Sequence, residues 1–185
     1  MIEDVMFEAE ERMDGAVVAL RADLLKVRTG RASPALIEDL RVDAYGVTMP
    51  LNQMATIAAP EPRLLTIRPW DAQNLGAIEK AIQRSDLNLT PNNDGRIIRL
   101  SFPSLTDERR RDLARLVSRR VEEARIALRN VRRDALRDFE RMQKDGDITE
   151  DDFYRSRDEL QKVTDEYVAK VDDVGKLKEA EIMEV

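Results

Sequence analysis

The chain has 185 residues, with 31 Lys or Arg and 37 Asp or Glu, so its formal net charge is −6. Hydrophobic residues make up 42% and charged residues 37%, but aromatic residues only 4%; this composition disfavours a β-sandwich and favours long, solvated helices around a core. Cysteine and histidine are absent, which excludes disulfides, zinc fingers and every histidine-dependent catalytic mechanism. We expect a reduced, cytoplasmic, largely helical protein.

The first segment of the chain has the pattern of one long amphipathic helix. Its apolar residues recur at spacings of three and four: Ile2, Met6, Ala9, Met13, Val17, Leu20, Leu24 and Val27. The segment has neither the basic start nor the apolar run of a secretory signal. No run in the chain approaches the ~18 apolar residues of a membrane span, so we expect no membrane association.

The middle of the chain differs from its flanks, because all seven prolines fall between Pro34 and Pro103. Proline disrupts the interior of a helix, so this part is predicted to be a small separate domain. The residue pattern indicates strands at 37–45, 55–59, 64–68 and 96–102, and a helix at 71–85 with Asp71 as its N-cap. We therefore predict an inserted β/α/β domain at 31–104.

Two further long helices are predicted after the insert. The first of them starts at Thr106 as N-cap, ends before Gly146, and has an apolar stripe of Leu113, Val117, Val121, Ala124, Leu128, Val131, Ala135, Phe139 and Met142. The other starts with a capping box of Thr149 and Asp152. Its stripe is Phe153, Leu160, Val163, Tyr167, Val171, Val174, Leu177 and Ile182. Three such stripes bury one another most simply in a bundle.

The fold class predicted from these elements is α+β, a long three-helix bundle with a small inserted β/α/β domain. The bundle would be discontinuous in sequence, formed by 1–30 and 105–185. Because the chain leaves the bundle and re-enters it, two linkers join the domains, near 29–32 and 103–106. We predict a hinge-like motion of two rigid bodies about these linkers.

The sequence gives no indication of a catalytic, metal or cofactor site. The closest two glycines, Gly15 and Gly30, are 15 residues apart, so no glycine-rich phosphate loop is present. The acidic turn from Asp145 resembles a calcium loop but has Glu150 where glycine is needed and Ser156 where a bidentate glutamate is needed. We predict a protein that is not an enzyme and needs no cofactor.

The helix that starts near residue 107 is basic within an acidic protein. Arginine supplies 12 of its 13 cations, and the planar guanidinium group suits phosphates. At 100° per residue, one flank beside the buried stripe collects six side chains, which we call the arginine ridge: Arg132, Arg125, Arg129, Arg111, Arg115 and Arg133. We expect Arg132 and Arg129 to be solvent-accessible and to contribute little to folding.

Composition alone leaves two interpretations of the ridge open, contact with nucleic acid and an ordinary solvated helix surface. No aromatic residues are interleaved with the arginines, so backbone and shape contact to structured RNA fits better than reading of unstacked bases. A helical coiled-coil adaptor that binds only protein partners is the alternative function. It explains the helices but gives the ridge no purpose.

Seven short motifs, in order along the whole chain, resemble the ribosome recycling factor family. They are 28–34 (RTGRASP), 45–46 (YG), 50–53 (PLNQ), 79–82 (EKAI), 85–87 (SDL), 105–110 (LTDERR) and 129–134 (RNVRRD). Two departures are small. Asn88 stands where the family usually has glycine, and asparagine tolerates a left-handed backbone; Pro103-Ser104 replaces a common Pro-Pro.

The resemblance implies an L-shaped pair of domains and a translation factor without chemistry of its own. Such a factor binds the ribosome after termination and, with elongation factor G and GTP, separates the subunits. Its bundle contacts large-subunit rRNA, and it acts as a monomer with neither membrane nor DNA as partner. The resemblance assigns Arg132, Arg129, Arg133 and Arg110 to rRNA binding, and the arginine ridge adds Arg125. Those assigned to the hinge are Thr29, Gly30, Arg31, Ala32, Pro103, Ser104, Leu105 and Thr106.

Overall fold

The computed structural model describes residues 1–184, which divide into two compact units. One unit combines residues 1–28 with 107–184, and the other spans 29–106. Among the described residues, no helix has both the length and the apolar character needed to cross a membrane.

The first unit consists of three long helices, α1 (Ile2–Leu25), α3 (Asp107–Asp145) and α4 (Glu150–Met183). The apolar stripes predicted for α1 and α3 are confirmed except at Ile2 and Met142, which are half-buried. The buried residues of α1 are Met6, Ala9, Met13, Val17, Leu20 and Leu24, and those of α3 run from Leu113 to Phe139 at the predicted positions. Each helix therefore buries one face against the other two, as the period of about 3.6 residues requires.

The start of α4 was predicted correctly. The hydroxyl of Thr149 accepts a hydrogen bond from the backbone N–H of Asp152 (3.1 Å), and the Asp152 carboxylate accepts one from the backbone N–H of Thr149 (3.3 Å). This reciprocal pair is the predicted capping box. It lowers the pKa of Asp152, first through the Thr149 side chain and then through its backbone.

The predicted stripe of α4 is only partly correct. Leu177 is 73% exposed, while three small residues that the prediction omitted, Ser156, Thr164 and Gly175, are buried beside Leu160, Val171 and Ile182. Small side chains let α4 approach its neighbours closely: a Cβ on Gly175 would lie 2.6 Å from Cγ2 of Val121. The Thr164 hydroxyl is satisfied by donating to the carbonyl of Leu160 (2.7 Å).

The second unit contains two sheets and one short α-helix. A hairpin of β1 (Arg41–Ala44) and β2 (Val47–Pro50) forms the first sheet, and the second has the antiparallel order β3-β4-β6-β5. Its strands are β3 (Ala55–Glu61), β4 (Leu64–Pro69), β5 (Pro91–Asn93) and β6 (Ile98–Ser101). Helix α2 (Leu75–Arg84) packs Leu75, Ile78 and Ile82 into the shared core.

Several boundaries in this unit differ from the prediction. The strand predicted at 37–45 begins only at Arg41, because a 3-10 turn at Pro34–Leu36 and a further turn precede it and place Ile37 in the core. Strands β2 and β5 were missed; both lie at sheet edges and each contains a proline, where the missing N–H costs no ladder bond. Asp71 accepts from Gln73 N (3.0 Å) but caps a 3-10 turn that precedes α2.

The two departures from the family pattern have different outcomes. Asn88 has a φ of 52°, so the left-handed turn expected at this position is kept and the prediction is confirmed. Ser104 lies in a segment without regular secondary structure that also contains Pro103.

Candidate nucleic-acid interface

Helix α3 presents its arginine ridge on the side next to α4. Arg125 and Arg132 contact α4 residues, whereas Asp134, on the opposite side of α3, pairs with Arg12 of α1 at 2.9 Å. The ridge thus borders the α3–α4 seam, and the rest of it continues outward toward solvent.

Arg125 is the most firmly held member of the ridge. Its Nε and Nη2 both donate to Oδ1 of Asp172 on α4, at 2.9 and 2.6 Å, and its Nη1 donates to Oε2 of Glu122 at 3.2 Å. The Asp172 carboxylate, followed by that of Glu122, raises the pKa of Arg125. Two carboxylates therefore fix and largely neutralise this guanidinium group, which fits a positioning role better than a free phosphate contact.

Glu122 also holds Arg129. Its Oε1 accepts from Nη2 of Arg129 at 2.7 Å, while its Oε2 accepts from Arg125. Arg129, followed by Arg125, lowers the pKa of Glu122, so this carboxylate stays charged well below neutral pH. The side chain of Arg129 is 52% exposed, as predicted, and its unbonded donors face solvent.

Arg132 differs from the prediction, because it is half-buried rather than freely accessible. Its Nη1 donates to Oε1 of Gln161 on α4, and Nε2 of Gln161 donates in turn to Oδ1 of Asp165 at 2.8 Å. Its Nε is buried and has no hydrogen-bond partner among residues 1–184. Arg132 therefore packs into the edge of the seam, and its contribution to folding is not negligible.

Arg133 and Arg110 complete the predicted set. Arg133 is exposed and donates from Nη2 to Oδ1 of Asn130 (3.2 Å). Arg110 is half-buried near the start of α3, with a buried Nε that lacks a partner within the described chain. The structure thus brings Arg125, Arg129, Arg132 and Arg133 together within about 12 Å of helix, whereas Arg110 lies about 20 Å farther along the axis.

The ridge extends beyond the residues predicted from sequence. Arg119 and Arg137 lie at about 120° on the same angular scale, and both are exposed. Neither forms an ion pair within residues 1–184, and the same holds for Arg111, Arg132 and Arg133. The prediction from sequence missed Arg119 and Arg137 because the predicted ridge ended at about 80°. The same rotation of 100° per residue places both of them at about 120°. This row of unpaired guanidinium groups can contact phosphates along a nucleic-acid backbone.

The predicted hinge segments, 29–32 and 103–106, have no regular secondary structure. In the second unit, the backbone N–H of Ala32 donates to Pro62 O (2.7 Å), and that of Phe102 donates to Arg63 O (2.8 Å). The backbone at Ala32 and at Phe102 is therefore hydrogen-bonded to the turn between β3 and β4.

At Gly30, the segment 29–32 closely approaches the segment 103–106. It has a φ of +74°, and a Cβ at this position would lie 3.2 Å from Cγ of Leu105 and 3.4 Å from the carbonyl oxygen of Pro103. Both the left-handed backbone and the close approach require glycine. Thr29 and Ala32, on either side, are buried.

The described residues contain no group of three or more His, Cys, Asp or Glu side chains that could hold a metal ion. The carboxylates at the ridge, Glu122 and Asp172, are engaged by arginines. The arginines of the ridge that have no carboxylate partner among residues 1–184 can bind anions.

Comparison with known proteins gives a consistent result. A family model described as "Ribosome recycling factor" matches residues 20–183. The chain is 54% identical to the ribosome-recycling factor of Roseiflexus sp. (strain RS-1), 51% to that of Halalkalibacterium halodurans and 52% to that of Chloroflexus aurantiacus, each over 185 residues and the full length of both chains.

Solved structures agree with these relatives. The chain is similar to the solution structure of a ribosome recycling factor, with a TM-score of 0.79 and 42% identity over 100% of this chain and 98% of that one. It is also similar to a ribosome recycling factor from T. thermophilus placed, with E. coli elongation factor G, on the E. coli post-termination complex. That similarity has a TM-score of 0.67 and 44% identity over 99% of each chain.

Proposed function

This chain belongs to the ribosome recycling factor family, and from that premise we propose that it disassembles the post-termination ribosome together with elongation factor G and GTP. The family is one of translation factors that act on ribosomes rather than of enzymes. The observation that carries the proposal is the full-length similarity to a factor placed with elongation factor G on a post-termination complex. The products would be free subunits, mRNA and tRNA.

The bundle is proposed to bind large-subunit rRNA through α3. The support is the row of arginines on one face of that helix, in a chain whose formal net charge is −6. The net negative charge of the protein repels the phosphates of rRNA, so binding requires a local cationic surface of this kind. Within it, Arg132, Arg133 and Arg129 are proposed to contact phosphates, Arg110 to contact a separate stretch, and Arg125 to brace the ridge.

The energy for separation is proposed to come from the partner and not from this chain. The sequence has no glycine-rich phosphate loop, so elongation factor G would supply GTP hydrolysis. We further propose that the protein acts in the cytoplasm, because the ribosome that it would act on is there. We also propose that it acts as a monomer.

The experiment that tests the function uses ribosomes stalled after termination on mRNA, with a deacylated tRNA bound. Adding the protein with elongation factor G and GTP is expected to split them, seen as a fall in light scattering. Omitting any of the three, or replacing GTP with an analogue that cannot be hydrolysed, should prevent splitting. If the complete mixture splits ribosomes no faster than elongation factor G with GTP alone, the proposal is wrong.

Binding itself gives a second readout in the same system. The protein is expected to sediment with ribosomes and to be released as salt is raised, because phosphate contacts release counterions. Sedimentation that is absent at low salt would favour a coiled-coil adaptor of other proteins. Sedimentation that is insensitive to salt would contradict binding through the ridge.

The segments 29–32 and 103–106 are proposed to form a hinge between the two units. The support is the absence of regular structure in both segments and their position at the two ends of the second unit, residues 29–106. Paired spin labels, one on α4 and one on β4, are expected to give a broad distance distribution in the free protein that narrows or shifts on ribosomes. A single narrow distribution, unchanged by ribosomes, would argue against a hinge.

A further inference from the structure

The second unit has a groove of its own, between β1 and α2, with a volume of about 680 Å³. Its floor includes the apolar side chains of Leu40, Ala77 and Ala81, and its rim carries three cations, Arg41, Lys80 and Arg84. The arginine ridge belongs to the other unit. The groove therefore requires an explanation separate from contact with rRNA.

The charge of the groove stands out within its unit. Residues 29–106 contain 8 basic and 8 acidic side chains, yet three cations and a single acid, Asp43, line the groove. None of the three cations forms an ion pair among the described residues 1–184. Asp43 accepts a hydrogen bond from Thr48 Oγ1 at 2.5 Å, within its own hairpin.

Folding of the unit does not explain all three cations. Arg84 lies in the last turn of α2, where the helix dipole favours a positive charge. Lys80 lies four residues before it, and like charges at this spacing repel one another. Arg41 lies on the opposite wall of the groove, in the exposed face of β1. All three cations thus line the same groove, and none of them forms an ion pair there among the described residues.

We propose that this groove binds an acidic, partly apolar, extended segment of a protein partner. Carboxylates of such a segment would meet Arg41, Lys80 and Arg84, and its apolar side chains would lie on Leu40, Ala77 and Ala81. Among residues 1–184, strand β1 pairs with β2 and with no other strand, so an extended peptide could add to its other edge, as in recognition at a sheet edge.

An RNA segment fits this groove less well than a peptide does. Phosphates would satisfy the three cations, but a sugar–phosphate backbone has no donors and acceptors that alternate like those of a strand edge. It would also leave the apolar floor without a matching surface. The mixed lining is that of a peptide groove, and the cations select for acidic sequences.

The test uses the full chain and a fluorescein-labelled eight-residue peptide of alternating Glu and Val. Saturable binding is expected from fluorescence anisotropy, with NMR shift changes confined to residues 40–43 and 76–85. An eight-nucleotide single-stranded RNA and the corresponding Lys–Val peptide serve as ligand controls. Neither is expected to compete.

The double substitution Lys80→Ala with Arg84→Ala is expected to weaken peptide binding about tenfold, the loss expected for two exposed ion pairs. The matched control is Arg68→Ala with Arg96→Ala, which removes two exposed cations of the same unit that do not line the groove; it should bind normally. Thermal melts should be unchanged in both. The proposal is overturned if the peptide does not bind, if its shifts map elsewhere, if the groove variant binds normally, or if the RNA binds more tightly.

Discussion

Replacing Arg132 with alanine is expected to weaken ribosome binding by about tenfold to a hundredfold. A charge-assisted hydrogen bond to a phosphate contributes roughly 1.5–3 kcal/mol, and each 1.4 kcal/mol is a factor of ten. Arg132 lies on the seam side of the ridge and has no ion-pair partner among residues 1–184, so no protein carboxylate competes with a phosphate for it. The salt dependence of binding should flatten by about one phosphate contact.

Arg132→Ala is also expected to destabilise the fold, because it removes the hydrogen bond from Arg132 to Gln161. Loss of that bond is expected to lower the free energy of unfolding by about 0.5–1.5 kcal/mol. For a chain of this size, that corresponds to a melting temperature lower by roughly 1–6 °C. Binding and stability therefore have to be measured for each variant.

Two control variants separate the roles of Arg132. Gln161→Ala removes the same hydrogen bond but keeps the charge of Arg132. We therefore expect it to lower the free energy of unfolding as Arg132→Ala does, while retaining most of the affinity for ribosomes. Arg141→Ala removes an arginine from the same helix whose side chain is 69% exposed and pairs with Asp138, at about 160° from Arg125. It should leave ribosome binding unchanged. If Gln161→Ala weakens binding as much as Arg132→Ala does, Arg132 acts through the packing of the bundle and not through phosphate contact.

The sequence predicted which side of α3 carries the ridge, because that follows from the helical repeat alone. It did not predict what α4 places against the ridge. Asp172 is 47 residues from Arg125 and Gln161 is 29 residues from Arg132, and the axial register of two helices depends on how their side chains interlock. An Asp172→Asn variant is therefore not a neutral surface change, because it removes the negative charge of the main partner of Arg125.

The fold shows the same division between local and long-range information. Prolines indicated that the middle of the chain differs from its helical flanks, and turn chemistry located the capping box at Thr149. The axial register and close approach of packed helices could not be predicted from the sequence, because the prediction used the spacing of apolar residues to identify the core. On α4, Ser156, Thr164 and Gly175 are buried because they are small, and a hydrophobicity pattern does not detect that property.

Gly175 therefore carries the second prediction with a large effect. Gly175→Ala is expected to destabilise the bundle, although alanine normally stabilises a helix by about 1 kcal/mol relative to glycine. The new Cβ would lie 2.6 Å from Cγ2 of Val121. Val121 is 7% exposed, and a β-branched side chain in a helix has one strongly preferred rotamer, so it cannot turn away. Overpacking of a core costs roughly 1–3 kcal/mol, and subtracting the helix gain of about 1 kcal/mol leaves a net loss of up to about 2 kcal/mol.

The matched control is Gly15→Ala in α1, where a Cβ would have no atom within 4 Å. This variant should gain about 0.5–1 kcal/mol, so the same chemical change should move the melting temperature in opposite directions at the two sites. Adding Val121→Ala to Gly175→Ala should recover stability, with a coupling of about 0.5–3 kcal/mol in the double-mutant cycle. The cycle also requires the single variant Val121→Ala, and chemical denaturation followed by circular dichroism measures the stability of all four variants. If Gly175→Ala is as stabilising as Gly15→Ala, α3 and α4 do not pack as closely at Val121 as the structure has them, and the pairing of Arg125 with Asp172 one turn away loses its support as well.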